Sequence, residues 1–242
     1  MKKIVIYVSA LLALGSAAST ATGAIALSNL TNPTVQSLID QGSSGVTVGS
    51  KRFFDFTFSG LTNSGTRTAA MVAVQPITDN GEGLRFISGW LAINGFSDDV
   101  ITYKVEETAP SQSIGTISLF SDGTAPVPGT NTFASTTLTA RKTSGSVIAN
   151  LTTFDDGKTT PTDTTATDIN TASINFGPQV ILTITDAINT VSTSGVATNS
   201  IIENTFVSIP EPTFGSAVFL PSAAVFVANF KRRSRKPVAK SR

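Results

Sequence analysis

Adjacent carboxylates are the residues of this chain best suited to chemistry. They occur as Asp98-Asp99, Glu106-Glu107 and Asp155-Asp156. Two carboxyl groups about 5–10 Å apart can flank a glycosidic bond as acid and base, or as acid and nucleophile. Neighbours on a strand point to opposite faces, so neither Asp98-Asp99 nor Glu106-Glu107 is a preformed pair. The expectation for both is solvated loop or edge charge. Asp155-Asp156 opens a Thr/Asp tract that ends near Asp168. Its oxygens suit calcium, with Asp155 and Asp156 as the candidate ligands, although the tract lacks the Asp-x-Asp-x-Asp-Gly spacing of an EF-hand loop. A surface loop is the alternative. Trp90, the only tryptophan, follows Gly89 and is a candidate platform for stacking on a sugar. Packing at the margin of a core is the other role open to it.

The residues that are missing exclude more than these include. The chain has no histidine and no cysteine. Ser-His and Cys-His catalysis, the usual zinc ligands and the commonest general base are thereby removed. No disulfide can form, so a hydrophobic core must hold the fold. No catalytic set and no cofactor is expected, and the remaining enzyme class is a glycoside hydrolase built on carboxylates.

Short strands are the elements that must position these residues. One helical period occurs early. Asn32-Pro33 reads as N-cap and first turn, with Val35, Leu38 and Ile39 on one face, so a short helix is predicted over Pro33–Asp40, ending at Gln41-Gly42. The period then changes to two. Lys51–Phe58 places Phe54, Phe56 and Phe58 on one face and Phe53, Asp55 and Thr57 on the other. Ala69–Ile77 and Leu84–Ser88 flank the turn signal Asp79-Asn80-Gly81. Val100–Glu106, Ser113–Phe120, Thr132–Arg141, Ser146–Phe154, Ser173–Phe176, Val180–Ala187 and Ile201–Ile209 continue the series. Strands at roughly ten-residue spacing with Gly/Asn/Asp punctuation predict an all-β fold, an antiparallel β-sandwich of about ten strands with one short N-terminal helix. A barrel is the alternative architecture.

Both ends of the chain read differently. Lys2 and Lys3 precede the apolar run Ile4–Leu14, and small residues follow it. That is the order of a secretory signal peptide, predicted over residues 1–24 with cleavage between Ala21 and Ala26. At the other end, Thr213–Phe230 is an uncharged stretch of 18 residues. It is near the shortest helix that crosses a hydrocarbon core of roughly 30 Å. Seven Lys or Arg residues follow among the last 12, with Lys231, Arg232, Arg233, Arg235 and Lys236 at the membrane stop. Such a cluster stays cytoplasmic, which puts the body on the far side of the membrane. A transmembrane helix over 213–230 is therefore predicted.

The body between these segments, residues 25–209, has a charge that the whole chain hides. The full sequence carries +1, from 17 basic and 16 acidic residues. The body keeps eight of the basic residues and fifteen of the acidic ones, for a net charge of −7. An acidic body without a basic stripe argues against nucleic acid as a partner.

Pro210-Glu211-Pro212 stands directly before the apolar span. Pro-Glu-Pro, one hydrophobic span and a basic end together resemble the PEP-CTERM sorting signal of exported bacterial proteins, here residues 210–242. The resemblance implies processing by exosortase, a membrane enzyme that removes the tail, after signal peptidase and the secretion machinery have acted at the front. The span departs from the usual pattern in holding few Leu and Gly and an internal Pro221. The body adds a second likeness. Val35-Gln36-Ser37-Leu38-Ile39, Gly45-Val46-Thr47-Val48-Gly49, Gly89-Trp90 and Asp98-Asp99-x-Ile101-x-Tyr103 resemble the globular part of many small PEP-CTERM proteins. The family likeness implies a transient stay in the inner membrane, then the cell surface or extracellular matrix, and association with exopolysaccharide. A plain C-terminal membrane anchor and a secreted polysaccharide hydrolase are the alternatives.

Overall fold

The computed structural model describes residues 23–63, 65–127, 131–157 and 170–211. The expected signal peptide up to residue 22, Pro212, the 213–230 span and the basic stop lie outside them. Among the described residues the chain is mostly β, with eleven strands in one hydrogen-bonded sheet. In chain order these are β1 (Ile25–Ala26), helix α1 (Val35–Asp40), β2 (Val46–Val48), β3 (Lys51–Thr62), β4 (Ala73–Ile77) and β5 (Glu82–Glu107), followed by β6 (Gln112–Ser121), β7 (Thr124–Val127), β8 (Phe133–Lys142), β9 (Val147–Asp155), β10 (Thr171–Gln179) and β11 (Ile181–Pro210). Every pairing is antiparallel except β1 with β2.

The helix starts later than its sequence suggests. Its N-cap is Thr34, whose hydroxyl accepts from the Ser37 amide while the Ser37 hydroxyl takes the Thr34 N–H. This reciprocal pair is a capping box. Asn32 sits in the left-handed region at φ 49, and the Pro33 carbonyl is used by the Val74 amide at 2.8 Å. Both residues therefore serve the approach to the helix, and Val35 and Leu38 bury its inner face.

Four of the expected short strands are halves of two long ones. Leu84–Ser88 and Val100–Glu106 both belong to β5, a strand of 26 residues, and Val180–Ala187 and Ile201–Ile209 both belong to β11, a strand of 30 residues. They pair with each other from Ile181↔Glu106 to Phe206↔Glu82, with register shifts at Ser192/Val196 and Asn199/Ile201. The Gly, Asn and Ser residues between the halves read as loops in sequence. In the fold they accommodate bulges, which bend a ribbon without ending it. The expected hairpin turn is present, with Asn80 and Gly81 both at positive φ between β4 and β5.

The two halves of the β5–β11 ribbon serve different neighbours. β8 and β3 flank the Phe96–Glu107 half, whereas β4 and β6 flank the Glu82–Ile87 half. The halves face one another across the core. Phe53 on β3 meets Phe206 on β11 at 5.8 Å between ring centroids, and Phe86 meets Tyr103 of its own strand at 6.0 Å.

One strand departs from simple alternation. A bulge between Phe54 and Thr57 places Asp55 at φ 55 and changes the phase of β3. Phe53 and Phe56 then both point inward, against Tyr103 at 6.1 and 5.1 Å. Phe54 lies on the other face with the Arg52 guanidinium 4.0 Å over its ring. The even alternation of Phe54, Phe56 and Phe58 expected from sequence is therefore corrected by one extra residue.

Candidate functional site

Polar side chains are concentrated at two ends of the folded body and at one point inside it. The first end is built by Lys51, the opening residue of β3. Its side chain is 1% exposed, and its Nζ lies 2.6 Å from Glu107 Oε2 and 3.2 Å from Glu82 Oε2. Those glutamates are the two terminal residues of β5, which the folded ribbon returns to one place. Nζ also donates to the Ser50 and Ser208 hydroxyls, and the Ser208 hydroxyl donates to Glu107. A hollow of about 290 Å³ lies beside this clamp, lined in part by Ser50, Glu82, Gln112, Phe206 and Ser208.

The two carboxylates share one ammonium, so their Oε2 atoms are no farther apart than those two distances combined. That bound admits the shorter spacing of a retaining glycosidase pair, but the electrostatics oppose it. Burial works to raise both pKa values. For Glu82 the Ser50 hydroxyl and amide and the Lys51 ammonium outweigh it, and for Glu107 the Lys51 and Ser208 hydrogen bonds and the Ala109 amide do the same. Both groups stand below their ordinary value of 4.5. A glycosidase acid must hold its proton near neutrality, which requires a raised value. Neither glutamate meets that condition.

At the far end of β3, beside the bend of β5, Trp90 and Asp99 meet. The indole N–H donates to Asp99 Oδ2 at 2.6 Å, and Arg67 Nε lies 2.8 Å from the same oxygen. Arg67 also donates to the Ser88 hydroxyl, the Gly89 carbonyl and the Ser97 hydroxyl. Burial raises the Asp99 pKa above its ordinary value, against the Trp90 hydrogen bond and the Arg67 charge. A second hollow, of about 250 Å³, is lined by Thr62, Gly65, Thr66, Arg67 and Met71.

These positions bear on three expectations. Trp90 is fully buried, so its ring offers no face to a sugar. The doublets do point to opposite faces, but Asp99 and Glu107 are buried and paired, not solvated. Asp155 uses its Oδ1 on the amides of Ala125 and Gly157, at 3.1 and 2.8 Å, and so braces a turn. Asp156 is buried at 8%, and the tract from Lys158 to Asp168 lies outside the described residues. Among the described residues no group of three or more acidic side chains converges as a metal site.

One buried site went unread in the sequence. Asp186 on β11 is fully buried at the centre of the core. Its Oδ2 accepts from Asn204 Nδ2 at 2.6 Å, and the same amide reaches the Tyr103 hydroxyl at 2.9 Å. Burial raises Asp186 from 3.8 to about 7, with only the Asn204 hydrogen bond opposing. Tyr103 is also raised, first by burial and then by Asp186. The signal was available: Leu182, Ile184, Asp186 and Ile188 alternate on one strand face, and a carboxyl in an apolar series has no solvent.

The Pro-Glu-Pro triplet, the expected sorting motif, begins at the end of the last strand. Pro210 is the last residue of β11, paired with Gln112 of β6, and Glu211 follows it.

The sequence matches no family model and no curated protein. Among solved structures it is similar to TmCBM61 in complex with β-1,4-galactotriose, at 12% identity and TM-score 0.35, over 75% of this chain and 97% of that one. It is also similar to the enzymatically active domain of bacteriophage CBA120 tailspike protein 4, at 10% identity, TM-score 0.28 and coverage of 63% and 19%. A third likeness is to the α-xylosidase of Xanthomonas citri, at 8% identity, TM-score 0.26 and coverage of 64% and 16%. At these scores none carries an argument about what this chain does.

Proposed function

We propose that this chain is an exported, non-enzymatic surface or matrix protein sorted by a PEP-CTERM signal, its body a β-sandwich that associates with exopolysaccharide. The observation that carries the reading is the order Pro210-Glu211-Pro212, apolar span, basic stop, placed at the point where the compact unit ends at Pro210. Signal peptidase and the secretion machinery act first, then exosortase cuts close to Pro212 while residues 213–230 hold the substrate in the inner membrane. The prolines keep the motif out of a helix and its backbone extended. A site that cleaves peptides binds such a backbone. The hydrolase alternative lacks a proton donor at its best-placed carboxylates, because Glu82 and Glu107 are both held ionised.

The test is mass spectrometry of the matrix fraction from the native host, with and without its exosortase. The expected product begins near Ile25 and ends close to Pro212, and Glu211→Ala leaves an uncut form in the inner membrane. Full-length protein reaching Arg242 as the sole species overturns the sorting reading in favour of a plain membrane anchor.

A further inference from the structure

The outward face of the β9-β8-β11-β5-β3 half of the sheet carries an array that neither the core nor the sorting signal uses. Asn150, Thr139, Thr185, Thr102 and Thr57 are register partners in turn, so they form one row across five strands. All are exposed or half-buried, while the residues between them on each strand point inward. Within the row Thr102 and Thr185 hydroxyls are 3.2 Å apart, and Thr139 donates to Asn150 Oδ1 at 3.1 Å. The next row contains Thr152, Thr137 and Ser59, with a Thr137–Thr152 hydroxyl contact of 3.2 Å. Its other two positions, Ala187 and Val100, are uncharged.

We propose that this face binds a single extended chain of a neutral polysaccharide, running across the strands. The inference deepens the exopolysaccharide reading given above and rests on it for biological context, while its argument is the geometry of the face. The strand spacing of roughly 4.8 Å is close to the length of one sugar in an extended glycan. The first row thus presents about one polar group per sugar. A hydroxyl that donates to its neighbour keeps lone pairs free to accept from a sugar hydroxyl.

An apolar element lies on the same face. Phe133 and Phe154, half-buried on β8 and β9, stack at 5.7 Å and stand outside the main core cluster. They close the array at one corner, where the C–H face of a sugar can pack on an aromatic ring.

Charge and twist define the polymer. Neither row contains a charge. Among the described residues the cations that border the rows are Lys104, paired with Asp55, and Arg141, which donates to the Gly145 carbonyl, and Asp98 borders the other side. The rows themselves offer a polyanion no cation, and the net charge of the body repels one. Strands in a sheet turn by about 20° each, so the rows are not flat across five strands. A single chain follows that twist, and a crystalline surface does not.

The test uses the full chain purified in detergent and isothermal titration with three probes: konjac glucomannan, hydroxyethyl cellulose and alginate. The expected result is binding of at least one neutral polymer and none of alginate. The triple variant T102A/T139A/T185A weakens binding about tenfold or more, and Thr116→Ala, on the outward face of the other half, leaves it unchanged. Phe154→Ala, outside the core, gives the same loss and serves if the triple variant does not fold. Absence of binding to both neutral polymers overturns the proposal, as does unchanged affinity in Phe154→Ala or alginate binding as tight as glucomannan. Localisation of the same variants in the host separates the two readings. Normal processing without glycan binding removes this inference alone, and glycan binding without processing removes the sorting reading alone.

Discussion

Glu107 and Asp186 are both buried carboxyls on the long ribbon, and they behave in opposite ways. Glu107 faces an ammonium, a hydroxyl and an amide, and its pKa is lowered despite burial. Asp186 faces one amide across the core, and its pKa is raised to about 7. Burial pushes both in the same direction, so the partner decides the sign. The difference teaches where charge is allowed in this fold. At the end of the ribbon Lys51 makes an ionised cluster possible. At the centre the surrounding groups are apolar or uncharged, and the carboxyl keeps its proton through the acid range. Asp186 Oδ1 and Asn204 Oδ1 have no hydrogen-bond partner among the described residues, which suits a neutral group better than a charged one.

The largest effect is expected from breaking the ionised cluster. Lys51→Ala leaves Glu107 buried without a cation and is expected to cost about 3–5 kcal/mol. Chemical denaturation read by circular dichroism measures it. A loss below about 1 kcal/mol would show that water reaches Glu107 and that the cluster is not closed. Phe56→Ala follows, at about 3–5 kcal/mol, because the ring is 4% exposed and stacked on Tyr103. Phe54→Ala, on the outer face under Arg52, is expected to cost clearly less. Equal losses at the two positions would remove the bulge from the account of β3.

The central carboxyl sharpens the comparison through pH. A folded pKa raised from 3.8 to about 7 means that the folded state holds a proton the unfolded chain has released. Stability from this group is complete below about pH 4, falls as pH rises, and levels off above about pH 7. The change is of the order of a few kcal/mol. Glu82 and Glu107 act the other way. Their lowered values stabilise the fold above pH 4.5, and that contribution is lost as pH falls through their folded values. Melting temperature against pH should therefore show two opposed limbs. Asp186→Asn is expected to remove the neutral limb and keep the acid one. A neutral limb that persists in Asp186→Asn assigns it to another group.

Much of this fold was legible, and what was missed has physical causes. Period-two patterning located eight of the eleven described strands, because an apolar face on a sheet must alternate, and missed β1, β2 and β7, which are too short to show a period. It failed at β3, where the left-handed Asp55 inserts a residue that alternation cannot anticipate. It divided β5 and β11 because Gly89, Asn94 and Gly95, like Ser192–Gly195, carry turn-type residues in a bent ribbon that keeps its pairing. The polar cores were harder. Lys51, Glu82 and Glu107 are far apart in sequence and meet only because the ribbon folds back. Trp90 and Asp99 were each visible, but their mutual hydrogen bond depends on the same bend.

The smallest effect is expected where the same charges meet at the surface. Lys104 Nζ lies 2.9 Å from Asp55 Oδ2, a distance like that of Lys51 to Glu107, but the two side chains are 43% and 37% exposed. Water solvates both ions before and after folding, so pairing them gains little and salt screens it further. Lys104→Ala is expected to cost no more than about 1 kcal/mol, and part of that is the lost packing of the Lys104 stem beside Phe54, whose ring centroid is 5.8 Å from Nζ. A double-mutant cycle with Asp55→Asn isolates the charge pair, because asparagine also tolerates the left-handed backbone at that position. A coupling energy near zero at high salt fits the solvated pair. A coupling as large as that of the Lys51 cluster would mean that distance, and not exclusion of water, sets the strength of ion pairs in this protein, and the contrast between its two classes of charge would fall.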